Sequence, residues 1–296
     1  MIEHAGGAVL VRAAVQQIVL ERGRAVGVEM GVKDRAIIRV RKGGSIISSA
    51  GVRTTLCKLL DEEGKSRMHR ELTALERLPP GCGHFMLFVS LKGSKVELGL
   101  PAANLWIGPT FDHDTNVGRW YKSDDGPPIS TEHFPAVFVS FPSAKDPEWA
   151  SETHSTCHVI AECRYSWVEA FEGERIKHRG GTYNAMKEQV AVALLEVLFG
   201  QFPDLQDKID FYALGTPLST NHYFGVTRGE SYGLACTCER YQQEWLQPTT
   251  TIPGLILTGQ DTLSPGVCGA LIAGFISAAV VRPRLLWPTL RIAVNL

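Results

Sequence analysis

Residues 252–270 read IPGLILTGQDTLSPGVCGA. The apolar run Leu255–Leu257 predicts a short buried strand, and Gly259 permits a tight turn directly after it. Ser264 is a good N-cap and Pro265 suits the first position of a helix, so we expect a helix to begin there. In open α/β sheets, ligands bind beyond the carboxyl ends of the strands, where this turn lies.

The same stretch supplies a candidate binding site. The helix N-terminus offers free amides and a partial positive charge to a phosphate, and the glycines would leave the backbone open to a ligand. The carboxylate of Asp261 is suited to accept hydrogen bonds from sugar-like hydroxyls. A capped core helix with an incidental acid is the alternative interpretation. The candidate cofactor-binding residues are Gly259, Asp261, Pro265, Gly266, Val267, Cys268, Gly269 and Ala270.

In the first fifty residues, β-branched residues and glycine punctuation predict strands at 8–11, 15–20, 25–30, 37–40 and 45–48. Helices are predicted at 54–62 and 66–78. Strands follow at 85–91 and 136–141, with a polar, exposed loop at 108–133 between them. An apolar face with helical spacing predicts a helix at 183–199, ended by Gly200. Strands and helices without strict alternation indicate an α/β or α+β fold.

Composition excludes some functional classes. The chain has 296 residues, with 30 Lys and Arg against 31 Asp and Glu, so no nucleic-acid partner is expected. The first residues do not read as a signal peptide. The apolar run 266–281 has 16 residues, fewer than the about 20 of a membrane span, and is predicted as a buried helix.

The cysteines and histidines do not point to a metal. The seven cysteines have no regular spacing, which favours free thiols in a reducing compartment. His154, Cys157, His158 and Cys163 are metal-ligand types, yet their spacing is unlike that of a structural zinc site. We therefore expect no metal, and no side chain stands out as catalytic.

Several motifs in order resemble a known family. The T-G-x-D turn at 258–261, followed by P-G-x-x-G-A at 265–270, is similar to the carboxyl-terminal flavin motif of the phytoene-desaturase and carotenoid-isomerase-like flavoproteins. Within that family the chain most resembles the retinol saturases, over residues 5–281. The further matches are 6–13 with 23–28, 85–89, 141–147 and 215–221, with Arg228, Gly229, Tyr232 and Gly233.

The resemblance implies a fold and an activity. The fold would be an incomplete FAD-binding Rossmann-like domain with a mixed-sheet substrate-binding domain. Residues 1–57 and 215–281 would form the FAD-binding part, 58–214 the substrate part and 282–296 a tail. The implied function is an FAD-dependent oxidoreductase that saturates one double bond of all-trans-retinol, with NAD or NADP as electron donor. The family also implies a retinoid or other polyene substrate and peripheral association with the endoplasmic reticulum membrane.

One departure from the family bears on this expectation. Such flavoproteins open with a βαβ unit whose G-x-G-x-x-G turn holds the pyrophosphate of the dinucleotide, and the sequence contains no such motif. We therefore expect a chain that corresponds to the carboxyl-terminal part of the family. The alternatives are a carotenoid desaturase or isomerase, and a catalytically silent fragment.

Overall fold

The computed structural model describes residues 2–31, 36–40, 43–122, 126–127, 131–149, 151 and 153–285. Residues 286–296 of the expected tail therefore lie outside the described residues. The strands of the described part are β1 Val15–Glu21, β2 Arg24–Met30, β3 Ala36–Arg39, β4 Ile46–Ser48, β5 Gly83–Lys92, β6 Asn104–Ile107, β7 Val137–Ser140, β8 His154–Cys163, β9 Ile209–Gly215 and β10 Leu255–Leu257. The α-helices are α1 Glu62–Arg67, α2 His69–Glu76, α3 His113–Lys122, α4 Pro142–Lys145, α5 Gly180–Gln201, α6 Pro217–Phe224, α7 Cys238–Tyr241 and α8 Gly266–Val281.

Short helical segments complete the described chain. Thr54–Leu59 is a π-helix. The 3-10 segments are Glu3–Ala5, Thr131–His133, Tyr165–Trp167, Glu169–Phe171, Pro203–Lys208, Gln260–Thr262 and Pro283–Leu285.

The chain divides into two compact units. Unit 1 contains Met1–Gly81 and Tyr232–Leu296, and unit 2 contains Cys82–Ser231. These boundaries differ from those expected at 57/58 and 214/215. The reason at the first boundary is that Met68 and Leu75 are buried in the same core as Ile18 of β1. At the second boundary, Leu218 of α6 is buried in the core of unit 2.

The described residues of unit 1 form two small sheets. β1, β2 and β3 form an antiparallel meander, as alternating apolar residues around the turn at 22–23 predict. β10 pairs in parallel with β4, with Leu255 opposite Ile46 and Leu257 opposite Ser48. The prediction that 255–257 lies in one sheet with strands from residues 7–50 is confirmed for β4, whereas β1, β2 and β3 form a separate sheet. All three residues of β10 are buried, which is usual for a parallel strand.

Unit 2 is built on one five-stranded sheet with the order β6-β7-β8-β5-β9. Every neighbouring pair is antiparallel, so the mixed sheet expected for this domain is wrong. In β5 and β8 buried side chains alternate with half-buried or exposed ones, and the buried ones share a core with α5. Successive side chains of a strand point to opposite faces of the sheet. The alternation therefore indicates that α5 covers one face, the face with the buried side chains.

Three local predictions are wrong. Residues 8–11 are exposed and form no strand. The segment 108–133 contains the helix α3, whose buried residues are Asn116 and Trp120. The apolar helix α8 is buried only through its small residues Gly269, Ala273 and Ser277.

The described helices bear on the membrane question as well. Within the residues that the structure describes, no helix combines the length and the apolarity that crossing a bilayer requires.

Candidate cofactor site

The candidate site is the connection between β10 and α8 in unit 1. Gly259 has φ +95° and Gly266 has φ +85°, and a Cβ on either residue would meet no atom within 4 Å. The turn therefore needs glycine for its backbone conformation and leaves open space beside it. α8 begins at Gly266, with Pro265 as N-cap. The sequence predicts a start at Ser264 or Pro265, with Ser264 as N-cap and Pro265 as the first helical residue. In the structure Pro265 is the N-cap and Gly266 is the first helical residue.

The first turn of α8 is accessible. Pro265 provides no side-chain cap, and Cys268 and Val267 are exposed, Val267 to 84%. First-turn amides have no partner within their own helix, and the helix dipole gives this end a partial positive charge. The Oε1 atom of Gln260 accepts the hydrogen bond of the Gly266 amide, at 3.3 Å. The remaining first-turn amides are suited to a negatively charged group.

Gly269 has a packing role at the start of α8. A Cβ at this position would collide with the carbonyl oxygen of Ser264. Packing at the helix start therefore accounts for its small size without a ligand. Ala270 follows it half-buried in the same turn. The predicted contact of both residues with a cofactor stays a prediction.

Asp261 is held by the protein itself. Its side chain is 4% exposed, and its two carboxylate oxygens accept hydrogen bonds from the backbone amides of Val52 and Leu234, both at 2.8 Å. The carboxylate thus joins three segments that are distant in sequence. Each oxygen keeps a further lone pair, so the predicted acceptance of a cofactor hydroxyl stays a prediction.

A buried arginine supports the same turn. Arg240 of α7 is 2% exposed and donates to the carbonyl oxygens of Leu234, Gln260 and Asp261. Charged donors form the stronger hydrogen bonds of proteins. The sequence analysis missed this residue, because nothing in its local pattern distinguishes it from a surface arginine.

Unit 2 carries a second set of functional candidates, on the sheet face opposite α5. This face presents the ring of Phe88, which is 43% exposed, and Trp106 and Phe211, which are 75% and 62% exposed. Met86 lies opposite Ile160 on the same face. Such a surface is suited to an elongated apolar molecule.

Ionisable groups lie on this face as well. Glu162 is the cross-strand neighbour of His84, and its Oε1 accepts a hydrogen bond from the Tyr121 hydroxyl at 3.3 Å. Burial raises the pKa of the Glu162 carboxyl and lowers the pKa of His84. Both groups are therefore biased towards their neutral forms. The alternation of β8 was the signal that could have placed Glu162 here.

The histidine and cysteine side chains of β8 have different surroundings. No group of three or more His, Cys, Asp and Glu side chains in the described ranges is arranged to hold a metal ion. His158 is half-buried, and its ring meets the Phe88 ring edge to face, with the ring centres 4.9 Å apart. Cys157 and Cys163 are buried in the core of unit 2, where burial raises the pKa of Cys157 to about 12.

Comparison with known proteins gives the relatives of this chain. No family model matches it. It is 34% identical to the all-trans-retinol 13,14-reductase of Danio rerio over 96% of the chain and 47% of that protein, and 32% identical to that of Rattus norvegicus over 98% and 48%. A chloroplastic prolycopene isomerase of Arabidopsis thaliana is 26% identical, over 88% of the chain and 39% of that protein.

A solved structure and the extent of the matches complete the comparison. The crystal structure of an oxidoreductase from Methanosarcina mazei shares the fold, with a TM-score of 0.53 and 16% identity, over 92% of this chain and 50% of that one. The chain spans about half the length of the retinol reductases that it matches. The resemblance predicted from the sequence motifs is confirmed: over the part that it spans, this chain is a homologue of the all-trans-retinol 13,14-reductases, with the prolycopene isomerases as more distant relatives.

Proposed function

We propose that this chain is part of an FAD-dependent oxidoreductase of the retinol saturase type, which reduces one carbon–carbon double bond of all-trans-retinol. The observation that carries the proposal is the 34% identity with a retinol 13,14-reductase across nearly the whole chain. The carotenoid isomerases match at lower identity, which favours a retinoid over a carotenoid.

The candidate site fits part of a flavin dinucleotide. The open backbone at Gly259 and Gly266 and the accessible first turn of α8 suit a phosphate or polar chain that lies against the helix start. Asp261 would keep this turn in place through its bonds to Val52 and Leu234. When bound, the reduced flavin supplies the hydride for the reaction.

The substrate would lie on the sheet face of unit 2 opposite α5. Phe88, Met86 and Ile160 offer it an apolar surface from which water is excluded on binding. Saturation of a double bond also requires a proton. Burial raises the pKa of the Glu162 carboxyl, which favours its protonated form, and the Tyr121 hydroxyl orients the group by donating to Oε1.

Other parts of the proposal rest on the family resemblance. They are NAD or NADP as electron donor and peripheral association with the endoplasmic reticulum membrane. Both would apply to the complete protein of which this chain spans part.

A catalytically silent protein is the second candidate. A Danio rerio protein named as an inactive all-trans-retinol 13,14-reductase is 30% identical to this chain. The match covers 97% of this chain and 47% of that protein. Similarity at this level therefore includes a relative without activity. Flavin content and retinol reduction, measured together, separate the two candidates.

The experiment uses the 296-residue chain, alone and co-expressed with the part of the Danio rerio reductase that lies outside the match. Flavin absorbance is measured after purification, and all-trans-retinol is then supplied with NADPH, with prolycopene as the competing substrate. We expect bound flavin and saturated retinol when the second part is present. Flavin without any reduced retinol would contradict the retinol reaction, and no flavin in either sample would favour the silent protein.

A variant of α8 tests the position of the flavin. Val267→Glu places a negative charge beside the first-turn amides, where it repels a phosphate without weakening the helix. Val280→Glu is the control, because Val280 lies near the other end of α8 and is 38% exposed. We expect Val267→Glu alone to lower the flavin content. Equal flavin content in both variants would contradict the predicted position.

A further inference from the structure

A small cavity in unit 2 lies between the start of α5 and α6. Its volume is about 250 Å³. Pockets for drug-sized molecules measure roughly 300–1,000 Å³, so this cavity suits a small ion or a headgroup rather than a whole cofactor. Ser219 and His222 of α6 form part of its wall.

Three cationic side chains line this cavity: Lys177, Arg179 and Lys187. The guanidinium carbon of Arg179 lies 5.4 Å from the centre of the Tyr183 ring, and Nζ of Lys187 lies 5.7 Å from the same centre. Tyr183 is buried, and its hydroxyl is hydrogen-bonded to Thr216 at 2.8 Å, so the ring is a fixed platform for both cations. Burial and the charge of Arg179 lower the pKa of Lys187.

These charges have no carboxylate partner in the part of the chain that the structure describes. None of the ion pairs found there involves Lys177, Arg179 or Lys187. The Nε atom of Arg179 is shielded from solvent and has no hydrogen-bond partner among the described residues. Like charges and an unsatisfied buried donor are both unfavourable, and an anion in the cavity would relieve both.

The backbone adds further donors. α5 is 22 residues long, its N-cap residue Arg179 provides no side-chain cap, and its first turn contains no acidic residue. A Cβ on Gly180 or Gly181 would meet no atom within 4 Å, so the first-turn amides are open to a ligand. The helix dipole favours a negative charge at this end.

We propose that this cavity binds a phosphate-bearing anion, held by Arg179, Lys187 and the first-turn amides of α5. A phosphate monoester carries about −1.5 to −2 charges at neutral pH and several acceptor oxygens, which matches a group of cations better than a carboxylate does. The phosphate can come from a soluble ester or from a lipid headgroup. The proposal does not depend on the redox function proposed above.

The experiment measures binding of sodium phosphate to the 296-residue chain by calorimetry at low ionic strength. A parallel experiment measures flotation with phosphatidylcholine vesicles that contain or lack phosphatidic acid. The variants are Arg179→Gln and Lys187→Met, which keeps an alkyl chain over the Tyr183 ring. Lys208→Gln is the control, because it removes one exposed charge of unit 2 that does not line the cavity.

We expect Arg179→Gln and Lys187→Met each to weaken binding about 10- to 150-fold, and Lys208→Gln to leave it within about twofold. Arg179→Lys, which keeps the charge, should recover part of the loss. Binding of free phosphate indicates a soluble ester, and binding of phosphatidic acid vesicles alone indicates a headgroup. Absence of binding to both, or an equal effect of Lys208→Gln, would overturn the proposal.

Discussion

Replacing Asp261 by asparagine tests whether its carboxylate holds unit 1 together. Both oxygens accept backbone amides at 2.8 Å, and the side chain is 4% exposed. In asparagine one oxygen becomes an amide group, which is a donor, so either the Val52 or the Leu234 amide would face another donor. That unsatisfied buried donor costs about 1–3 kcal/mol, and the other bond loses about 1 kcal/mol when its acceptor becomes neutral.

The expected loss is therefore about 2–4 kcal/mol in the free energy of opening this region, which is a roughly 30- to 900-fold faster exchange of the two amides. Hydrogen exchange with mass spectrometry measures it on peptides that contain Val52 or Leu234. Peptides from β5 and β8 of unit 2 serve as the internal reference. Asp261→Asn would also change the flavin content, and bound flavin would itself protect amides from exchange. Exchange is therefore measured on the flavin-free chain.

Asp61→Asn is the matched control. Asp61 caps α1 by accepting the Gly64 amide at 2.8 Å, and asparagine caps helices about as well as aspartate. We expect this variant to exchange like the unmodified chain. Unchanged protection of Val52 and Leu234 in Asp261→Asn would refute the structural role of the Asp261 carboxylate.

Three further predictions concern the two cores and Glu162 on the sheet face of unit 2 opposite α5. Gly6→Ala should cost unit 1 about 1–2 kcal/mol in urea unfolding, because Gly6 has a left-handed backbone. Gly233→Ala should cost more, because a Cβ at this left-handed position would also collide with a carboxylate oxygen of Asp261. Leu194→Ala should cost unit 2 about 2–5 kcal/mol in the same assay, against less than about 1 kcal/mol for the 44% exposed Val192→Ala. Glu162→Gln should stabilise unit 2 at pH 7 and lose this advantage below about pH 4, where the carboxyl is protonated in both folded and unfolded chains, as thermal unfolding across pH would measure. A constant difference across pH would contradict the raised pKa.

The elements predicted well from the sequence are those with a strong local pattern. The apolar run of β10 and the glycines after it predicted the strand, the turn and the start of α8 to within two residues. The alternation of β5 and the helical spacing in α5 predicted both elements of the unit 2 core. In these segments local preference and tertiary packing agree.

The helix α3 was missed because only one of its two buried residues is apolar. Its buried residues are Asn116 and Trp120, and the Asn116 amide donates to the carbonyl oxygen of Thr110. A segment with one large apolar anchor carries too weak a periodic signal, so composition alone predicted an exposed loop.

The partners of Asp261 were beyond sequence reasoning for another reason. Val52 lies 209 residues and Leu234 lies 27 residues away along the chain. Only the fold brings these amides to one carboxylate, and Gly233 must lack a side chain for that approach. The motif predicted an acid in the turn after β10 and left its bonding partners unknown.

This result changes what the T-G-x-D motif can indicate. The sequence resemblance assigns the acid to a flavin, whereas the structure gives the same carboxylate two backbone donors in the protein itself. Since packing alone would keep Asp261, a relative that no longer binds flavin would retain the motif. The acid is therefore weak evidence for activity. The exposed first turn of α8 is better evidence to test, because at Val267 a charge can be introduced that acts on a bound phosphate and not on the core.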